Sequence, residues 1–412
     1  MKDFQRTKFA CYAAYFTMSS IFCVPPMLFV TFRETYGISY TLLGTLVLVN
    51  FCTQLGVDLL FTFFSKYFNA KLMVRIMPLI TTLGLVTYAV LPMLFPQAAY
   101  VGFLIGTVLF SLSAGLSEVL LSPTIAAIPS KNPQRDMSFL HSLYAFGVVT
   151  MVLISTLFLR WVGTEHWGIL ILILAALPIL PAVLFFCSPM PEMQGDASVA
   201  AKGFGKRAAG LALCVACIFF GSCAENAMGN WISGYMENAL GIEKSLGDIL
   251  GVAMFAVLLG LARVSYARFG KHIMRVLLVS MIGATVCYLT VAFCAHVVPS
   301  MLACALTGLF TSMLWPGTLI MMEERIPHAG VAAFALMAAG GDLGASVSPQ
   351  LMGIVIDAVS VSDAAAAMGQ SMGLSAEQIG LKAGMLVSAV FPLIGTFVVL
   401  ACIRYFGKKQ SG

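Results

Sequence analysis

The sequence predicts an all-α membrane protein with twelve transmembrane helices in two six-helix halves, and three observations lead there. Of the 412 residues, 60% are hydrophobic and only 10% are charged, against about a quarter charged in an average soluble domain. The apolar residues gather into runs of about 20, the length an α-helix needs to cross the hydrocarbon core of a bilayer. The longest polar, Gly- and Pro-containing stretch, Cys187 to Gly210, splits these runs six and six. Their continuity argues against a membrane β-barrel, whose strands would alternate polar and apolar residues.

In chain order the runs lie near 8–31, 40–64, 73–95, 98–128, 137–160 and 166–187 in an N-terminal half, 1–190, and near 208–236, 246–269, 273–295, 299–322, 331–357 and 383–406 in a C-terminal half, 208–412. A linker at 191–207 joins them. Span one is full length with no small-residue cleavage site behind it, so no removable leader is expected. Spans four and ten share a pattern: "GLSEVLLSP", Gly115 to Pro123, and "GLFTSMLWP", Gly308 to Pro316, both read G-L-x6-P. A weaker match pairs "YGIS", Tyr36 to Ser39, with "LGIE", Leu240 to Glu243. Such echoes suit a fold built from two parallel repeats. The connector before span twelve holds "SAEQIGLKAG", expected as a short interfacial helix with Ser375 and Gln378 spaced as a capping box.

All but four of the 23 lysines and arginines fall on the side that holds both termini; the four are Arg33, Arg160, Lys244 and Lys382. Cytoplasmic loops retain positive charge, so both termini are expected in the cytoplasm, with the chain integral to the cytoplasmic (inner) membrane. The net charge of +5 is then a topology signal, and no nucleic-acid partner is expected. The eleven cysteines are scattered. Cys214 and Cys217 form a C-x-x-C pair in an apolar helix, without the context of a redox or metal site. No metal or cofactor is expected, and without a Walker-type phosphate loop the chain does not read as an ATP-driven pump.

Charges inside spans are the candidates for function, because an ionised carboxylate there costs several kcal/mol and mostly faces a water-filled cavity or an ion pathway. Counting about 1.5 Å per residue places Glu118 in span four near the bilayer midplane, with Glu225 in span seven and Asp342 in span eleven in or close to the middle third. Asp342 lies among glycines that would equally allow close helix packing. Asp58, Glu323 and Glu324 lie near span ends, where ion pairs with Lys66, Arg75 or Arg325 are expected. Arg263 is expected to snorkel to the cytoplasm. No lysine or arginine is expected at mid-depth, which disfavours anionic cargo. Asn50 and Gln54 on span two, and Asn226 and Asn230 on span seven, are spaced i, i+4 and so share helical faces. These amides suit hydroxyl groups or, equally, neighbouring helices. Trp315 and Trp231 offer flat apolar surfaces, although Trp231 also fits an interfacial anchor. His141 and Tyr144 share a face of span five, and His141 titrates near physiological pH.

These residues resemble the fucose–proton symporter family of the major facilitator superfamily. Span four keeps Gly115, Leu116, Glu118 and Pro123 of that family's pattern. Span five has "FLHSLYAFG", Phe139 to Gly147, with His141 and Tyr144 where the family carries cavity amides. Span seven has Ala224, Glu225, Gly229 and Trp231; span ten has Gly308, Leu309, Phe310, Ser312, Trp315 and Pro316; span eleven approximates the pattern with Gly340, Gly341, Pro349, Gly353 and Asp357. The departures are an absent acidic residue in span one, where Cys23 to Pro26 stand, Ser122 in place of an Asn, and a degraded "SKYFNAK" loop, Ser65 to Lys71.

The resemblance implies the major facilitator fold and alternating access, with Glu118 as the group that takes and releases a coupling proton. The expectation is a monomeric secondary transporter, not an enzyme, that moves a neutral sugar together with H+. Proton coupling is assigned to Glu118, Glu225 and Asp342, and substrate contact to Glu118, His141, Tyr144, Asn50, Gln54, Glu225, Asn226 and Trp315. The alternative is a proton-coupled antiporter that exports cationic or amphipathic compounds.

Overall fold

The computed structural model describes residues 4–64, 67–131, 133–191, 208–326 and 331–408, and all regular secondary structure among them is helical. Lipid offers no hydrogen-bond partners to a backbone, so each spanning segment satisfies its own amides and carbonyls as a helix. Ten of these helices are long and apolar enough to span a membrane. An eleventh span is the pair α1 (Gln5–Met27) and α2 (Phe29–Tyr36), bent by 49°. Pro25 and Pro26 sit at that bend and withdraw two amide donors. Helix α6 (Pro133–Val162) carries a shorter apolar stretch, Phe146–Val162.

The described chain divides into two compact units, Met1–Ile38 with Val49–Ser198, and Ser39–Leu48 with Val199–Gly412. Of the linker expected at 191–207, all but Pro191 lies outside the described residues. Helix α3 (Tyr40–Phe64) contributes to both units. The first unit continues with α4 (Ala70–Leu94), α5 (Ala99–Ala126), α6, α7 (Trp167–Ala176) and α8 (Ile179–Phe186). The second contains α9 (Ala208–Gly234), α10 (Lys244–Gly247), α11 (Met254–Phe269), α12 (Ile273–Phe293), α13 (Val297–Thr311), α14 (Leu314–Arg325), α15 (Val331–Ser360), α16 (Asp363–Met372), α17 (Ala376–Ser388) and α18 (Val390–Lys408). Two short π-helical segments, Tyr235–Ala239 and Asp248–Ala253, flank α10.

The capping box forms as spaced: Ser375 Oγ accepts from Gln378 N, and Gln378 Oε1 accepts from Ser375 N. Its helix is not the separate interfacial helix expected. It is the first part of span twelve, which runs from Ala376 to Gly407, and the short helix before it is α16. A strong local cap therefore starts a span several residues earlier than hydropathy alone does.

Helix packing without a hydrophobic driving force depends on close backbone approach at small residues. In the first unit a Cβ on Gly115 would stand 2.9 Å from Val57 Cβ, so α5 lies directly against α3. Its counterpart in the repeat, Gly308, brings α13 against the span holding Phe255, whose carbonyl oxygen would meet an added Cβ at 2.3 Å. Each unit thus uses its copy of the G-L-x6-P glycine for the same crossing. The α4–α5 contact is also close: at Gly106 a Cβ would stand 2.6 Å from Tyr88 Cβ and 2.7 Å from its Cα.

Polar ties fix the helix ends. In the second unit Asp357 accepts from the backbone amides of Tyr40 at 3.1 Å and Thr41 at 2.6 Å, so α15 supplies the carboxylate that caps the start of α3. Tyr40 donates from its hydroxyl to Glu377 at 2.5 Å and accepts from Asn238. Trp231, expected at the interface or facing cargo, is instead 1% exposed and donates from Nε1 to the carbonyl of Pro349 at 3.1 Å. In the first unit, at the end that carries the N-terminus, Asp136 in the first turn of α6 pairs with Lys8 at 2.5 Å. It also accepts from Ser130 at 2.5 Å. The hydrogen bonds from Lys8 and Ser130 hold the Asp136 carboxyl below the usual carboxylate range.

Two stability predictions follow from this packing. Gly106→Leu should lower thermal stability in detergent by about 1–3 kcal/mol, the ordinary cost of overpacking, because the atoms it meets are backbone as well as side chain. Asp136 has a depressed folded-state pKa, so its contribution is present above the unfolded carboxylate pKa of about 4 and is lost as pH falls through the folded value. Asp136→Asn should therefore be less stable than the parent at neutral pH, and the gap between their melting curves should close in strong acid.

Candidate functional site

The first unit gathers its candidates around Glu118. This residue lies on α5 one turn beyond Gly115, whose contact with Val57 and Gln54 holds α5 against α3. Asp58, next to Val57, is an electrostatic neighbour of the Glu118 carboxylate, and Glu118 in turn acts on the Tyr15 hydroxyl of α1. Although embedded among helices, Glu118 stays exposed, and it makes no hydrogen bond or ion pair among the described residues. Tyr144 on α6 packs edge-on against Tyr15, with ring centroids 6.5 Å apart, and against Phe22 at 5.8 Å. Phe22 also meets Phe51 of α3 at 6.1 Å. A carboxylate pair and an aromatic cluster are thereby assembled from α1, α3, α5 and α6.

Asp58 was expected to pair with Lys66 or Arg75 at a span end. Lys66 lies outside the described residues, and Arg75 donates to the carbonyl of Ser188 at 3.4 Å. The electrostatic influence of Asp58 on Glu118 comes from the α3–α5 crossing, which is not visible in either helix alone. Likewise, no ion pair joins Glu323 or Glu324 to Arg325 among the described residues.

The amides are occupied. Gln54 donates to Asn50 Oδ1 at 3.1 Å, and Ser111 of α5 donates to the same oxygen at 2.6 Å. Both amide side chains are buried, so the i, i+4 pair ties α3 to α5. Asn226 donates to Ser222 and Asn230 to the carbonyl of Asn226, so this pair bonds back along its own helix. The side chain of His141 lies outside the described residues.

In the second unit the central feature is an ion pair that sequence reasoning missed. Arg263 of α11 does not simply turn to the span end: its Nη2 stands 3.4 Å from Glu225 Oε1 on α9. Its Nε donates to the carbonyl of Ser312 at 2.9 Å. That carbonyl is available for a local reason. Pro316, four residues on, has no amide hydrogen to return to it, and the helix is interrupted between Thr311 and Leu314. The proline of G-L-x6-P was therefore the signal in the sequence, and the length of the arginine stem does the rest. A cation does stand beside Glu225, and the expectation of none at mid-depth is overturned. Trp315 follows the break and lies against Gly341, where an added Cβ would be 2.3 Å from its ring. Asp342, the next residue, is 6% exposed.

The described residues form a multi-span helical chain with carboxylates, an arginine and aromatic rings set inside its spans. The chain belongs to the Major Facilitator Superfamily, whose family model matches residues 9–349. It is an integral membrane protein, a secondary transporter and not an enzyme, of a family whose members take small-molecule substrates. No curated protein matches it. Among solved structures it is similar to a bacterial homologue of the human lysosomal transporter Spinster in an inward-facing, occupied conformation, at 14% identity and TM-score 0.75, covering 99% of both chains. It is also similar to a D-xylose–proton symporter, at 15% identity and TM-score 0.74, covering 94% of this chain and 96% of the other. The fucose:proton symporter of E. coli superposes at TM-score 0.61 and 13% identity, covering 97% and 99%. At such identities the likeness shows the fold alone, and the fucose symporter is one neighbour among several.

Removal of the Ser111 hydroxyl tests the tie between α3 and α5. Hydrogen bonds of this kind inside membranes contribute roughly 0.6 kcal/mol on average and at most about 1.7. Ser111→Ala should lower thermal stability in detergent by an amount in that range.

Proposed function

We propose that this protein is a proton-coupled symporter of a sugar, working by alternating access in the cytoplasmic (inner) membrane with both termini in the cytoplasm. The observation that carries the reading is Glu118: a carboxylate inside a span, exposed, with no ion pair among the described residues and with Asp58 and Tyr15 as its electrostatic neighbours. Such a group is costly to close off while charged and cheap once neutral. A proton on Glu118 then lets the loaded site close, and its loss inside lets the empty carrier return. The rings of Tyr144 and Phe22 supply an apolar surface for the C–H face of a sugar, and Glu118 and Tyr15 supply hydroxyl partners. Two of the structurally similar proteins are proton symporters of a sugar, one of D-xylose and one of fucose.

The second reading, export of cationic compounds in exchange for protons, draws on the Asp58–Glu118 pair, which would suit a cation. Uptake of labelled hexoses measured beside efflux of a fluorescent cation in the same cells separates the two.

The decisive measurement is sugar-induced alkalinisation of the medium in proteoliposomes. The parent protein should give a proton signal with its sugar. Glu118→Gln should lose that signal while it still exchanges sugar across the membrane. Equal proton signals from both would remove Glu118 from coupling.

A further inference from the structure

We propose that Arg263 is the receptor for a carboxylate on the substrate, so that the cargo is an acidic sugar such as a hexuronate or an aldonate. Glu225 would be the internal counter-ion that this carboxylate displaces. The inference rests on the sugar-transport reading and narrows its substrate class.

Three observations bear on it. First, the guanidinium is fixed at one end only. Its Nε is held by the Ser312 carbonyl at 2.9 Å, an acceptor that Pro316 leaves free, and this sets the direction of the planar fork. Second, the bond to Glu225 is long. At 3.4 Å it lies well beyond the 2.7–2.9 Å typical of an ammonium- or guanidinium-to-carboxylate bond, and it uses a single nitrogen. Nη1 has no partner among the described residues. Third, the pair is open: the Arg263 side chain is 37% exposed and Glu225 22% exposed. A pair serving structure alone would be expected to close into the two-point geometry that guanidinium and carboxylate favour.

A fork anchored at Nε, with Nη1 free and Nη2 weakly engaged, presents one edge to an incoming oxyanion. A sugar carboxylate binds that edge through two parallel N–H donors and displaces Glu225. Arg263 is the charged group that faces Glu225, so the released carboxylate is left inside the span without its cation and takes up a proton. One carboxylate replaces another at the guanidinium, and the proton cancels the charge left over. A neutral sugar has no group to make this exchange. A phosphate dianion would add a second negative charge that one arginine does not balance.

The test is equilibrium binding to the purified full-length protein, with no gradient present, so that it does not depend on proton coupling. The probes are labelled galacturonate, with gluconate, galactose and galactose 1-phosphate as competitors. Galacturonate and gluconate should compete, and galactose and the phosphate should compete at least about tenfold more weakly, a difference of about 1.4 kcal/mol. In the parent, acid binding should weaken as pH rises, because an ionised Glu225 competes for Arg263. In Glu225→Gln, with the competitor gone, binding should be tighter at alkaline pH and nearly flat with pH. Arg263→Lys should lose about tenfold in affinity for the acids, with folding checked by its elution profile and melting curve.

Galactose binding as well as galacturonate would overturn the inference and leave sugar transport standing. So would a Glu225→Gln protein that keeps the parent's pH dependence, or a folded Arg263→Lys protein of unchanged affinity. Binding of the phosphate in preference to the acids would overturn it too. Failure of all sugars and sugar acids to bind would remove the sugar reading itself.

Discussion

Lipid solvates neither charge nor unpaired backbone, and every polar group inside a span must find its partner within the protein. The residues placed within the two units follow from this constraint. Asp357 is accepted inside the second unit because two amides at the start of α3 donate to it. Asp248, 1% exposed, is accepted because Ser233 donates to it at 2.5 Å and Lys244 lies 3.7 Å away. Glu225 is accepted because Arg263 stands beside it. Glu118 differs in kind, since it is exposed and has no ion pair or hydrogen bond among the described residues.

Prolines and glycines shape the sites by removing atoms. Gly115 and Gly308 occupy equivalent places in the repeat and bring their helices against span two and span eight respectively. Pro316 subtracts an amide hydrogen, and the acceptor it leaves vacant is taken by Arg263. A motif that looks like a packing signature therefore also creates the electrostatics of the second unit: the break in span ten lets a neighbouring span deliver its guanidinium to Glu225.

The helical architecture was legible because its signals are local. The apolar runs of the spans and the Ser375–Gln378 cap each depend on residues close to one another in sequence, and the helices largely follow them. The site was legible only as a set of residue types. Glu118, Glu225 and Tyr144 were visible as polar or aromatic groups at depth, while the pairings of Asp58 with Glu118 and of Arg263 with Glu225 were not. An arginine six residues from the end of its helix has enough stem to reach either the interface or the interior. The choice is made by a carbonyl 49 residues away in sequence. The amides Asn50 and Gln54 show the reverse: spacing placed them on one face, and Ser111 on another helix used that face for packing.

By itself the sequence determined the helical class, the order of the spans, the G-L-x6-P pattern shared by spans four and ten and the presence of carboxylates where lipid would not tolerate them idle. Those properties follow from hydropathy and hydrogen-bond satisfaction along single segments. Only the tertiary structure decided which carboxylate has a cation, which stays exposed without one and which serves as a helix cap. Electrostatic partnership depends on distances of a few ångströms between helices, and these are set by where glycines let backbones touch and where prolines leave a carbonyl free.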